Sequence, residues 1–174
     1  MPDFSQQRLN LHARSFVAEG ARLIGAVTLD DGSSVWYNSV LRADLASIII
    51  GRESNIQDNC TVHVEHDMPT LIGAGVTVGH GVILHACTVE DRCLIGMGSI
   101  LLDGVLIKKN SLVGAGSLVP PGKTYPEGSL IFGSPARVAR KLTEAEIENI
   151  AEAARHYRSF WEAYVQKGIA LHKK

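Results

Sequence analysis

The sequence predicts an all-β chain: a parallel β-helix of hexapeptide repeats followed by one C-terminal α-helix. Three observations predict it. An aliphatic residue recurs every six positions from Val17 almost to Val119. A small or β-branched residue follows many of these leads by four places, as at Ser39, Ser54, Cys60, Val76, Val82, Cys93, Ser99, Val105, Ser111 and Ser117. The apolar period changes to that of a helix only after Thr143. A six-residue repeat is a signature of a parallel β-helix. Each beat makes one short strand and one corner, and three beats close a triangular coil. Positions 18 apart then stack at the spacing of neighbouring strands, about 4.8 Å, so sequence separation becomes height along a prism.

Residues 1 to about 16 read as a lead-in that caps the first coil. The leads are then Val17, Leu23, Leu29, Val35, Leu41, Ile50, Ile56, Val62, Ile72, Val78, Leu84, Val89, Ile95, Leu101, Ile107, Val113 and Val119. The beat gains three residues between Leu41 and Ile50, gains four between Val62 and Ile72, and loses one between Leu84 and Val89. Insertions in a regular solenoid are expected to project from corners as loops, where function concentrates. The second insertion holds Glu65, His66, Asp67, Met68 and Pro69. Pro120-Pro121-Gly122 is expected to end the β-helix, because proline gives no ladder donor. This divides the chain into 1–122, β-helix with lead-in, and 123–174, a tail and an amphipathic helix packed on the β-helix within one domain. Thr143-Glu144-Ala145-Glu146 reads as a capping box. Ile147, Ile150, Ala151, Ala154, Tyr157, Trp161, Tyr164 and Val165 follow at helical spacing, and Gly168 is the expected stop.

Composition excludes several classes. A formal charge of −1 over 174 residues leaves no basic face for nucleic acid. Cys60, Cys87 and Cys93 are odd in number and form no CxxC pair; two fall on the inward small beat, which favours core packing over disulfides. Asp3 and its polar neighbours do not resemble a signal segment, and no apolar run approaches the roughly 20 residues of a membrane span. A soluble, cytoplasmic protein with no membrane partner is expected.

The coil arithmetic sorts the histidines. With Val62 on the first face, Ile72 lies on the second, Val78 on the third, and Leu84 returns to the first, one coil higher. His63 and His85 each follow their lead by one place, so both point outward, one above the other. Their separation of 22 is one coil of 18 plus the four-residue insertion. Arg42 extends the same column one coil below. His80 follows Val78 by two places and occupies a corner of the third face, on another flank. Two imidazoles on adjacent rungs can share a tetrahedral ion at Zn–N distances of about 2.0–2.1 Å. In a three-fold ring the first face of each protomer meets the third face of the next, and a neighbour's His80 then completes a three-histidine site with a fourth position open, as catalytic sites have. Spacing alone leaves the other reading open, because histidines on such flanks are also ordinary surface or interface residues. His12, His156 and His172 are expected at the surface, and His66 in a solvated loop.

At these residues the chain resembles a known family. Arg42-Ala43-Asp44, Ser54-Asn55-Ile56-Gln57-Asp58-Asn59, Val62-His63, Gly79-His80-Gly81 and Leu84-His85, in this order and spacing, resemble the gamma-class carbonic anhydrases, which are left-handed β-helix proteins of hexapeptide repeats. The resemblance covers nearly the whole chain. Its closing Gly133-Ser134-Pro135-Ala136-Arg137 segment and C-terminal helix are also shared with hexapeptide acyltransferases. It implies a homotrimer with three interfacial sites, His63 and His85 coming from one chain and His80 from its neighbour. One divalent metal per site is implied, zinc first, with iron and cobalt also suited to imidazole. The implied reaction is reversible hydration of carbon dioxide to bicarbonate by a metal-bound hydroxide. Arg42, Asp44 and Asp58 are implied at the subunit interface. Gln57 is implied to orient the metal-bound water with Asn55 beside it, and Tyr164 loosely matches a helix tyrosine near the metal.

That chemistry explains the residue types. Neutral imidazoles leave the dication uncompensated, which lowers the pKa of bound water to about 7, carbonic anhydrase being the established case. A side-chain amide such as Gln57 aligns a hydroxide without competing for its proton. Turnover also needs a titratable relay. The most active members of the family carry a glutamate just after the RxD aspartate, where this chain has Leu45. Glu65 is the expected second acidic shuttle, with His66 or Asp67 as substitutes; of these, His66 has the most suitable ordinary pKa. Two alternatives stand beside this reading. One is an acyl- or acetyltransferase with a histidine base. The other is a metal-binding trimer without significant hydratase activity.

Overall fold

Three parallel ladders form the faces of the prism in the computed structural model, which describes residues 9–169. The first runs Leu23, Leu41, Val62, Leu84, Leu101, Val119 in consecutive coils. The second runs Leu11, Leu29, Ile50, Ile72, Val89, Ile107, Tyr125, and the third runs Val17, Val35, Ile56, Val78, Ile95, Val113, Ile131. The fold is a left-handed parallel β-helix of about seven turns with one C-terminal helix. Nearly all the leads point inward and are buried, as are the small residues of the second beat, including Ser39, Ser54, Ser99 and Ser111. Small side chains fit there because their hydroxyls serve the corners: Ser39 Oγ donates to Gln57 O at 2.6 Å, and Ser54 Oγ to Gly73 O at 2.6 Å. All three cysteines are buried with free thiols, and burial pushes Cys60 up to about 11 and Cys87 and Cys93 up to about 12.

Four sequence expectations are corrected. The lead-in is already coil, since Asn10–Leu11 pairs with Thr28–Leu29. The first insertion does not project. Arg22–Leu29 and Val40–Ile50 both run unbroken around a corner, and the register jumps from Gly25↔Ala43 to Val27↔Ile48, so the surplus is absorbed as a bulge. The β-helix does not end at 122, because Thr124–Tyr125 pairs with Leu106–Ile107 and Ser129–Gly133 extends the third ladder. The prolines are harmless there. Each ladder donates upward, as Leu102 N does to Val119 O at 3.2 Å, and the first ladder stops at Leu118–Val119, so Pro120 has no coil above it to serve. Finally, Ala136–Lys141 returns antiparallel on Ser129–Gly133, placing a hairpin where an irregular tail was expected. The second insertion does form a loop: Glu65 and Met68 exchange backbone bonds of 3.2 and 3.0 Å around Asp67, whose φ is 58°.

Helix α1, Glu144–Gln166, starts at the expected capping box: Thr143 Oγ1 accepts from the Glu146 backbone N–H, and Glu146 accepts from the Thr143 N–H. It lies against the third face, burying Ile150 and Ala154 and packing Tyr157, Trp161 and Tyr164 around Phe16, Ala18 and Trp36. Gly168, at φ 63°, ends it. Among the described residues, no helix is long and apolar enough to cross a membrane. Asp3 and His172 lie outside the described residues.

The box has a pH consequence. The side-chain bond from Arg140, together with the Thr143 N–H, holds the Glu146 carboxyl down to about 2. A carboxylate depressed on folding stabilises the folded state above its unfolded pKa and loses that contribution as pH falls through the folded value. Glu146→Gln is therefore expected to melt below the wild type at neutral pH, with the gap closing as pH falls toward 2. Thermal melts followed by far-ultraviolet ellipticity check this, and a gap independent of pH refutes it.

Candidate metal centre

Arg42, His63 and His85 occupy matching positions in three consecutive coils, paired Arg42↔His63 and His63↔His85. Each follows a fully buried lead (Leu41, Val62, Leu84), and strand alternation turns it outward. The two rings lie 5.0 Å apart at 58°. His63 Nδ1 faces His85 Nε2 at 3.0 Å, while their remote nitrogens meet carboxylates: His63 Nε2 lies 2.9 Å from Asp44 Oδ1, and His85 Nδ1 lies 2.5 Å from Asp103 Oδ1. A carboxylate oxygen accepts and does not donate, so each remote nitrogen carries the proton. The facing nitrogens then either share one proton, which makes one ring an imidazolium, or in the neutral pair present two lone pairs that a metal cation would bridge. Burial pushes the Asp44 carboxyl up, but hydrogen bonds from His63 and Arg42 outweigh it and hold it below its ordinary range. Two imidazoles with carboxylate-held remote nitrogens form a donor set that fits a divalent metal.

His80 stands apart, at the corner between the third and first faces. Its Nδ1 lies 2.8 Å from Asp58 Oδ2, and its Nε2 lies 3.3 Å from the Tyr157 hydroxyl, which reaches it from α1. The same argument puts the proton on Nδ1 and leaves Nε2 accepting from Tyr157. Gln57 and Asn55 line up behind it on the third face. Gln57 Nε2 donates to Asn55 Oδ1 at 3.3 Å, and Asn55 Nδ2 donates to Thr77 Oγ1 at 3.0 Å, all largely buried. Gln57 and Thr77 open onto a groove of about 450 Å³ whose helix wall is His156, Tyr157 and Phe160. Among the described residues, no three His, Cys, Asp or Glu side chains converge to hold a metal within one chain. The three histidines thus lie on different flanks, His63 with His85 and His80 apart, and Tyr157 both meets His80 and walls the groove that Gln57 lines.

The remaining candidates are placed as follows. Asp44 pairs with Arg42 as well as His63, and Asp58 accepts from the Tyr37 backbone N–H at 3.1 Å as well as meeting His80. Tyr164 packs edge-on against Phe16 and Trp36, and within the chain the helix tyrosine whose hydroxyl meets a candidate ligand is Tyr157. Glu65 turns its carboxylate onto the His66 N–H at 2.8 Å, and His66 pairs with Asp67 in the exposed turn. Leu45 is 36% exposed beside Asp44. His12 meets Asp31, while His156 stacks on Phe160 along the groove. Sequence reading missed Asp103 and Tyr157. Asp103 lies 18 residues after His85, one coil on, and Tyr157 lies two helical turns before Tyr164 on the same helix face, so spacing gives the height of each but not its partner.

Comparison with known proteins adds the lineage. Residues 87–120 match the family described as hexapeptide repeat of succinyl-transferase. The chain is 46% identical over 156 residues to gamma carbonic anhydrase 1, mitochondrial, of Arabidopsis thaliana, covering 86% of the chain. It spans about half the length of the plant relatives, 57% of that one and 53% of gamma carbonic anhydrase 2. It is 46% identical over 145 residues to the carbonic anhydrase of Geobacillus kaustophilus, covering 83% of the chain and 80% of the relative. A crystal structure of a hexapeptide transferase family protein from Anaplasma phagocytophilum superposes with a TM-score of 0.87 at 40% identity, over 90% of this chain and 92% of that one. Matched at 46% identity over 80% of the Geobacillus relative, the chain belongs to the gamma carbonic anhydrase family.

Proposed function

We propose that the protein is a carbonic anhydrase, a lyase that reversibly hydrates carbon dioxide to bicarbonate at a divalent-metal centre shared between neighbouring protomers of a homotrimer. One observation carries the reading. His63 Nδ1 and His85 Nε2 face each other at 3.0 Å with their remote nitrogens on Asp44 and Asp103, while His80 stands on another flank with Nδ1 on Asp58 and Nε2 on the Tyr157 hydroxyl. Two halves of a three-histidine set, each incomplete in its own chain, suit assembly across a seam. His63 and His85 would hold the ion with the neighbour's His80. A bound dication supplies Lewis acidity that brings the pKa of a water toward about 7. Zinc is the first candidate, and iron and cobalt suit the same donors.

The chain's own residues do the rest. Asp44, Asp58 and Asp103 hold the proton of each neutral ring on its remote nitrogen, which leaves the other nitrogen as the ligand. Gln57, steadied by Asn55 and Thr77, offers an amide that orients a small polar reactant without titrating. Apolar walls of the groove, Leu94 and Phe160 among them, favour uncharged carbon dioxide over water. Glu65 lies in the turn that follows His63 and is the carboxylate proposed to carry protons outward.

Stopped-flow hydration assays on the wild type and on His85→Ala test the reading. The variant is expected to lose at least about 100-fold in kcat/KM, the scale of a reacting group misplaced by about 1 Å. Equal rates would refute the reading. Leu45 supports one second reading, a metal-binding trimer that turns over slowly for want of an acid at that position. Bound metal with no hydration rate is its signature. A metal-free trimer would instead favour acyl transfer.

A further inference from the structure

We infer that Asp103 is a positioning residue that holds His85 in its metal-binding tautomer; the inference rests on the shared-site reading above. The pillar on the first face reads Asp44, His63, His85, Asp103 from bottom to top, with a carboxylate at each end. Two stacked neutral imidazoles have an easy escape from the lone-pair clash: one ring moves its proton to the facing nitrogen and donates to the other. His85 with a proton on Nε2 would donate to His63 Nδ1 across the observed 3.0 Å, and the pair would satisfy itself with no ion. Asp103 blocks this. Its Oδ1 lies 2.5 Å from His85 Nδ1 and accepts the proton-bearing bond there, so moving that proton to Nε2 would bring an imidazole lone pair against a carboxylate.

Asp103 is well placed for the task. Its backbone is pinned in the corner after Ile100–Leu101, with its carbonyl accepting from Gly122 N at 2.8 Å, while the preceding Leu102 N donates to Val119 O at 3.2 Å. The carboxylate arrives from the coil above, one turn along the chain, so the ladder fixes its distance from the ring. Asp58 plays the matching part for His80, at 2.8 Å from Nδ1. Each of the three candidate ligands thus has its remote nitrogen on a carboxylate, the arrangement that raises imidazole basicity and fixes its orientation.

The test uses the full-length protein, first stripped of metal and then titrated with Zn²⁺ against a chromophoric chelator. Asp103→Ala is expected to weaken zinc binding by about 10- to 100-fold. Long-range ¹H–¹⁵N spectra of the metal-free, ¹⁵N-histidine-labelled protein are expected to show His85 protonated at Nδ1 in the wild type and at Nε2 in a substantial fraction of Asp103→Ala. Asp103→Asn, which keeps an accepting Oδ1 without the charge, should retain the Nδ1 tautomer and recover part of the affinity. Glu127→Gln, a carboxylate beside Asn110 away from the pillar, should change neither readout. Unchanged zinc affinity in Asp103→Ala overturns the inference, and so does weakened binding with the wild-type tautomer, which would mean a merely structural effect. If the wild type binds no zinc, iron or cobalt, the metal reading falls, whereas the spectra still report whether Asp103 sets the tautomer.

Discussion

Mixed oligomers of His80→Ala and His85→Ala chains are expected to recover metal binding that neither variant has alone. The reason is geometric. In each chain His63 and His85 form one cluster and His80 another, so a site at a seam takes the pair from one protomer and the single histidine from the next. In the proposed homotrimer, either variant alone lacks a ligand at every seam. In a mixture a seam is complete when a His80→Ala chain supplies the pair and a His85→Ala chain supplies His80. Random assembly from equal amounts makes that happen at about one seam in four, because closed cyclic symmetry gives each seam one donor on each side. The measurement is metal content of unfolded and co-refolded mixtures, with native mass spectrometry to establish exchange of chains. Mixed trimers that hold no metal would refute sharing between chains, as would full metal occupancy in His80→Ala by itself.

The parts of this arrangement set by chain periodicity were legible in the sequence. Every ladder from Val17 to Val119 follows from counting, and so does the stack of Arg42, His63 and His85, because a β-helix translates 18 residues into one strand spacing. What the period could not show was how an irregularity is spent. The three surplus residues after Leu41 went into a bulge, since both flanking strands could turn the corner in step, whereas the four after Val62 closed on themselves as a tight turn. The prolines at 120 and 121 looked like terminators only because a ladder's demand for a donor depends on whether a coil lies above, which a local motif does not tell. The carboxylates that hold the histidines were hidden for a different reason. Asp44 and Asp58 read as seam residues, and Asp103 drew no reading, because a side chain's partner is decided by direction, and the repeat specifies only height. The same holds for Tyr157 and Tyr164, which share a helix face but meet different layers of the prism.

Leu84→Ala is the substitution within the prism expected to cost most while touching no ligand. Leu84 is fully buried, and its backbone pairs with Val62 below and Leu101 above. A close-packed coil cannot collapse onto the space left by three carbons without bending ladders that continue above and below. The loss should therefore sit in the ordinary range for such truncations, about 2–5 kcal/mol. At about 2–4 °C per kcal/mol for a chain of this size, melting should fall by roughly 4–20 °C. The effect should also reach the metal. His85 is the next residue on the same strand, so a cavity behind Leu84 frees the ring to lean away from His63 and from Asp103. Metal affinity should fall in step with stability, whereas substitution of exposed Lys108 should shift neither measurably, surface changes usually staying within about 0.5 kcal/mol. A melting temperature within about 2 °C of the wild type would mean that the coils repack freely. Coils that repacked so freely could not hold two rings in the fixed contact on which the shared site depends.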